Sequence, residues 1–135
     1  MGSSNIQVYI HFVWHTDHRK PLLRGQLETF VHDRIRELAG EHGLQPLAIN
    51  SAWTHTHLLV RWNATSAIGD VVEDWKGLTS LEWEPTPDCP QELSWQKGYG
   101  AFSHHKDNID TVIRYIAKQK HHHRHDTTIE KFERQ

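Results

Sequence analysis

Cysteine is nearly absent. Cys89 stands alone, so no internal disulfide can brace the chain, and a lone thiol agrees with a reducing compartment. Long apolar runs are missing as well. No stretch approaches the roughly 18 uncharged apolar residues that a membrane helix needs. The opening Met-Gly-Ser-Ser lacks the basic and apolar blocks of a secretory leader. The expectation is a cytoplasmic protein with no membrane partner. Excess positive charge is also lacking, with a formal net charge of −2. Non-specific affinity for nucleic acid comes mainly from cations displacing counterions, which argues against a strong general grip on DNA or RNA.

Histidine and tryptophan are plentiful, at thirteen and six residues in a chain of 135. That length forms one domain, residues 1–135, able to bury a core without staples. No internal repeat or linker divides it. Charge is uneven along it. Between His104 and His125, five cations (Lys106, Arg114, Lys118, Lys120, Arg124) face Asp107 and Asp110, a local +3 before any histidine is protonated. A basic patch on a near-neutral protein suits a binder of short structured sites.

Hydrophobic period sets the element order. Ile6, Val8, Ile10, Phe12 and Trp14 alternate with Gln7, Tyr9, His11 and His15, and only Val13 breaks the pattern. This predicts a half-buried strand over residues 5–15, followed by a basic loop from Asp17 to Pro21. Leu27, Phe30, Val31, Ile35, Leu38 and Ala39 fall at helical spacing over residues 26–41. Residues 44–52 and 54–62 read as two strands of a hairpin, with a turn near Asn50-Ser51. Thr65 or Ser66 is placed to cap a second helix that buries Ile68, Val71, Val72, Trp75 and Leu78 or Thr79. Pro85, Pro87 and Pro90 impose a loop. A fourth strand is expected over residues 93–103, interrupted by Gly98 and Gly100. A last helix, capped by Asp107 or Asn108, is expected to run to about His123, with a frayed polar tail after Asp126. The order β-α-β-β-α-β-α predicts an α+β, ferredoxin-like (split βαβ) fold. It has a four-stranded antiparallel sheet backed by two helices, with an added C-terminal helix.

Two features carry chemistry. His55-Thr56-His57 lies inside a predicted strand, so both imidazoles project from one face while Thr56, Leu58, Val60 and Trp62 face the core. Paired imidazoles are the start of a divalent-metal site, although so short a triplet also arises by chance in a histidine-rich chain. On the last helix Tyr115 and Gln119 stand at i and i+4, joined by His122, beside an apolar stripe of Ile109, Val112, Ile113 and Ile116. Tyr115 is either a boundary residue with a wet hydroxyl or a nucleophile one turn from a metal ligand. A phenol with a free pKa of roughly 10 needs a nearby cation for that role.

In order along the chain stand Tyr9-Ile10-His11-Phe12-Val13-Trp14 through Arg19-Lys20-Pro21, then His55-Thr56-His57-Leu58-Leu59-Val60, then Trp95-Gln96-Lys97-Gly98-Tyr99-Gly100-Ala101-Phe102-Ser103, then Tyr115-Ile116-Ala117-Lys118-Gln119. Together they resemble the HUH single-tyrosine transposases of small insertion sequences, including the REP-associated tyrosine transposases. The sequence departs from that pattern at Thr56, where a hydrophobic residue is usual, and at Thr54, where Asp or Asn is frequent. The resemblance implies metal-dependent cleavage and strand transfer of single-stranded DNA near a hairpin. Tyr115 would be the nucleophile, forming a covalent 5′-phosphotyrosine link and leaving a free 3′-OH. His55, His57 and Gln119 would bind Mg²⁺ or Mn²⁺, and the protein would form a homodimer. Arg19, Lys20, Lys76, Tyr99, Lys118 and His122 are the candidate DNA contacts. The rival readings are a domesticated, non-catalytic hairpin binder and a metal-dependent phosphoesterase without a covalent step. His121-His122-His123-Arg124-His125 reads as a basic or solvated patch rather than as a second metal site.

Overall fold

In the computed structural model, which describes residues 4–120 and Glu133, the chain runs β1 (Tyr9–His15), α1 (Gly25–Glu41), β2 (Gln45–Ala52), β3 (His55–Arg61), α2 (Ile68–Glu82), β4 (Gly100–His104) and α3 (Ile109–Ala117). Short 3-10 turns, Asp17–Arg19 and Lys106–Asn108, follow β1 and precede α3. The strands form one antiparallel sheet in the order β2-β3-β1-β4. This is the ferredoxin-like α+β arrangement that the periods predict.

One face of the sheet carries Ile10, Phe12, Trp14, Leu58 and Val60 against α1 and α2. There they meet Leu27, Val31, Ile35, Val71, Val72 and Trp75 in the main core. Trp14 and Trp75 stack with ring centroids 5.9 Å apart. Thr56 also lies on this face, and its hydroxyl meets Ser51 Oγ at 3.0 Å. A buried hydroxyl is tolerated when it finds such a partner. The opposite face carries Leu59 against Val112, Tyr115 and Ile116 of α3 in a smaller cluster. Because α3 covers it, the sheet is buried on both sides. That explains why Val13, the one residue that broke the alternation of β1, has no exposure.

Several boundaries differ from the sequence expectations. β1 begins at Tyr9 rather than residue 5. Val8 is 45% exposed, and Ile6 is held instead by its carbonyl, which accepts from the Arg61 guanidinium. The hairpin turns at Trp53-Thr54, not at Asn50-Ser51. Asn50 stays in β2 and its amide donates to Ala117 O at 3.0 Å, tying the strand to α3. Neither Thr65 nor Ser66 caps α2; the cap position is Ala67, without a side-chain bond. The backbone N–H groups of Thr65 and Ser66 are instead held by Asn63 Oδ1.

The fourth strand is split. Only Gly100–His104 pairs continuously with β1, while Trp95 bridges Thr16 alone. Between them the chain leaves the edge at Gly98, whose φ of +87° lies in the left-handed region. Lys76 pins this detour by donating to the carbonyls of Gln96 and Gly98. The last α-helix ends at Ala117, and Lys118 breaks it before a further helical turn at Gln119 and Lys120. Its preceding turn is capped by His105, whose Nδ1 accepts from Asp107 N, not by Asp107 or Asn108. The expected continuation to His123 and the His121–His125 run lie outside the described residues.

Candidate active site

The site is built on the α3-covered face of the sheet. In an antiparallel pair, residues opposite one another share a face. The register sets His55 opposite His15 and His57 opposite Val13. His55 and His57 therefore project together, as expected from strand geometry, and both are buried at 4% and 0% exposure. Their outer nitrogens converge. His55 Nε2 and His57 Nε2 lie 2.7 and 3.0 Å from a single oxygen, Oε1 of Glu133. The inner nitrogens are held from behind, His55 Nδ1 by Thr54 Oγ1 at 3.0 Å and His57 Nδ1 by His11 Nε2 at 2.8 Å. Thr54, one of the two departures from the family pattern, thus orients the first histidine of the pair.

Helix α3 brings Tyr115 to the same point. Its hydroxyl donates to Oε2 of Glu133, and its ring stands edge-on to His57 with centroids 6.1 Å apart. At 5% exposure Tyr115 belongs to the apolar cluster itself and not to its wetted margin. Gln119 is fully buried across the Lys118 break. Its Nε2 donates to Tyr115 O at 3.3 Å, while its Oε1 has no hydrogen-bond partner among the described residues.

The donor atoms of His55, His57 and Glu133 lie within 4.8 Å of one another, a spacing that one divalent ion can bridge. Two imidazoles and a carboxylate form a donor set suited to first-row divalent ions. The buried, unpartnered amide oxygen of Gln119 fits the same reading, because an orphan acceptor costs about 1–3 kcal/mol unless a ligand satisfies it. Behind the pair, His11 has no exposure. Burial first, and then the neighbouring imidazoles His57 and His104, hold its pKa down to about 2, so its ring is neutral.

Two site residues were not singled out in the sequence. Glu133 lies 76 and 78 residues from the histidines, in a polar tail expected to fray, and no periodicity marks it. His11 had a signal. The alternation of β1 placed it on the face opposite the core, and that face proves to be the one carrying the histidine pair.

The expected DNA contacts sit in varied surroundings. Arg19 and Lys20 are exposed just after β1, where His18 and Arg19 adopt left-handed φ values of 54° and 51°. Lys118 is exposed at the helix break. Lys76 has its ammonium engaged by two backbone carbonyls. Tyr99 packs partly buried against the core, with its ring centroid 6.5 Å from that of Phe12. Lys120, part of the basic segment, bonds Glu28 and Ser51 O. His122 lies outside the described residues.

Comparison with known proteins gives a consistent answer. The chain is 28% identical over 118 residues to the ISDra2 transposase TnpA of Deinococcus radiodurans, covering 84% of each protein. Its fold matches the crystal structure of a candidate transposase from Deinococcus radiodurans R1, with a TM-score of 0.63 and 21% identity over 88% of this chain and 96% of that one. It also matches a REP-associated tyrosine transposase bound to a REP hairpin, with a TM-score of 0.65 and 13% identity over 91% of this chain and 74% of that one. Residues 4–119 match the family model described as "Transposase IS200 like". The histidine strand, the tyrosine helix and the match over nearly the whole described chain lead to one conclusion: this protein belongs to the IS200-like transposase family.

Proposed function

We propose that this transposase cuts and rejoins single-stranded DNA beside a hairpin, with Tyr115 as nucleophile and a divalent ion, Mg²⁺ or Mn²⁺, held by His55, His57 and Gln119. The observation that carries the reading is a convergence. The Tyr115 hydroxyl and the Nε2 atoms of both histidines reach the two oxygens of one carboxylate, so phenol and ligand nitrogens face one anionic group. In the cleavage step the Tyr115 oxygen forms a bond to phosphorus. The bond from phosphorus to the 3′ oxygen breaks, that oxygen takes up a proton, and the 5′ side remains on tyrosine. Attack by a 3′-OH on the phosphotyrosine reverses the step and joins strands. A bound ion supplies charge withdrawal from the phosphate; imidazole donors favour Mn²⁺ over Mg²⁺.

Hairpin DNA as substrate is supported by the REP hairpin in the structurally similar transposase. Arg19, Lys20 and Lys118, exposed near the ends of β1 and α3, are the proposed phosphate contacts, with Lys76, Tyr99 and His122 as further candidates. The family resemblance also supports a homodimer. Light scattering across concentration, with and without DNA, checks this, and a monomer under every condition removes it.

The deciding experiment mixes the protein with a hairpin bearing a single-stranded flank and Mn²⁺. The expected product is a protein–DNA adduct that survives denaturation, with a free 3′-OH released. Tyr115→Phe removes one oxygen and little volume, so DNA binding should persist and the adduct vanish. Cutting without an adduct would identify a phosphoesterase, and binding without cutting would identify a non-catalytic hairpin binder.

A further inference from the structure

Five imidazoles cross the α3-covered face of the sheet in a row. His104, His11, His57, His55 and His15 follow one another with ring centroids 5.8, 5.1, 5.0 and 4.7 Å apart. They come from three strands, and the pairing register places them on one face. Within the row, one contact is a short hydrogen bond between ring nitrogens, His11 Nε2 to His57 Nδ1 at 2.8 Å.

A bond between two imidazole nitrogens requires a proton on one of them and a lone pair on the other. A carboxylate oxygen accepts, so His57 meets Oε1 of Glu133 with a proton on Nε2. Nδ1 of neutral His57 then carries a lone pair, and His11 Nε2 donates to it. A cation needs the lone pair of His57 Nε2, which moves the His57 proton to Nδ1. His11 Nε2 must then accept. His11 can serve both arrangements because an imidazole exchanges donor and acceptor roles between its two nitrogens. A purely apolar ring at this position would leave His57 Nδ1–H buried without a partner, at a cost of about 1–3 kcal/mol.

We infer that His11 is a positioning residue that fixes the ring orientation of His57 and accepts its Nδ1–H when a divalent cation is bound. This rests on the metal-site reading proposed above. Its effect belongs to the site's affinity for the cation, since His11 lies behind His57 and not in the gap shared with Tyr115. Partners of this kind typically change metal affinity 10–100-fold.

The test measures Mn²⁺ affinity of the full chain, without DNA, from the EPR signal of the free ion. His11→Phe keeps an aromatic ring and removes the nitrogen; His11→Gln places an amide near the position of Nε2. The expected result is at least about a tenfold weaker affinity in His11→Phe and an affinity near that of the parent in His11→Gln. Equal affinity in His11→Phe overturns the inference. So does an equal loss in both variants, which would assign His11 to packing. A second measurement needs no variant. Ring ¹⁵N shifts of the unaltered protein loaded with Zn²⁺ should show a protonated His57 Nδ1 and an unprotonated His11 Nε2, and a protonated His11 Nε2 overturns the inference. If the parent chain binds no Mn²⁺, the metal-site reading falls and takes this inference with it. If the parent binds and His11→Phe binds equally well, the inference about His11 falls alone.

Discussion

Gln119 shows how single residues divide between stability and chemistry. Its buried amide oxygen has no partner among the described residues, an arrangement that weakens the fold unless a ligand arrives. Gln119→Met is therefore expected to leave the melting temperature in chelator unchanged or slightly raised. It should also reduce the upward shift that Mn²⁺ produces and weaken Mn²⁺ affinity about tenfold. An unchanged Mn²⁺ shift would remove Gln119 from the ligand set. His32 supplies a pH effect at the same scale. Its Nε2 bonds Ser51 Oγ at 2.8 Å beneath the histidine strand. Burial first, then Arg36 and Lys120, hold its pKa down from 6.5 to about 4, opposed only by Asp33. The folded chain keeps His32 neutral while the unfolded chain protonates it near pH 6.5. Its contribution is thus present above pH 6.5 and is lost as pH falls toward 4. Urea melts should show about 1–2 kcal/mol of stability lost over that range beyond the loss seen in His32→Gln; parallel curves would refute this. That His55 and His57 project together was legible because the strand period fixes which residues share a face. Glu133 was not, because a long-range contact from a polar tail leaves no periodic trace.

Elements were legible to the extent that one period governed them. α1 was read nearly to the residue, and the buried face of α2 though not its cap, because each helix buries one stripe. The two strands of the hairpin were also evident, but not its turn. Asn50 is a strong turn former, yet here its amide reaches across to α3. Nothing within the hairpin's own sequence records that need. The fourth strand was overextended for a related reason. Trp95 and Phe102 look like one strand, but Gly98 takes the left-handed region and Lys76 stabilises the excursion from another element. Asn50 gives an element-scale prediction, since its bond to Ala117 O anchors the end of α3 just after Tyr115. Asn50→Ala should cost about 1 kcal/mol of stability. It should also slow adduct formation by more than that loss of folded protein explains, and it should weaken Mn²⁺ affinity, because Gln119 follows Ala117 at the same end of α3. Adduct kinetics and Mn²⁺ titration on the same preparation check this. If neither changes beyond the loss of folded protein, this bond does not position the end of α3.

At the scale of the whole molecule, a chain of modest size buries both faces of its sheet and brings Glu133 against the histidines and the tyrosine. One carboxylate oxygen meets His55 and His57, and the other accepts from Tyr115. A phosphodiester attacked by Tyr115 would place its own anionic oxygens in that gap. A divalent ion on the histidines can offset the charge of two anions, but the Glu133 oxygen that accepts from Tyr115 occupies the place an attacked phosphate needs beside the phenol. Substrate must therefore displace at least the oxygen facing Tyr115, and that displacement weakens binding without altering the chemical step. The expected signature is a change in KM rather than kcat. Glu133→Gln keeps the volume and removes the charge. It should lower the KM for a hairpin substrate about tenfold, equivalent to about 1.4 kcal/mol, with kcat for adduct formation unchanged. The opposite result is equally readable. If Glu133→Gln lowers both Mn²⁺ affinity and adduct formation, the carboxylate is a ligand that the reaction requires, and displacement by substrate is wrong. Single-turnover adduct formation over a range of hairpin concentrations, paired with Mn²⁺ titration, separates the two outcomes.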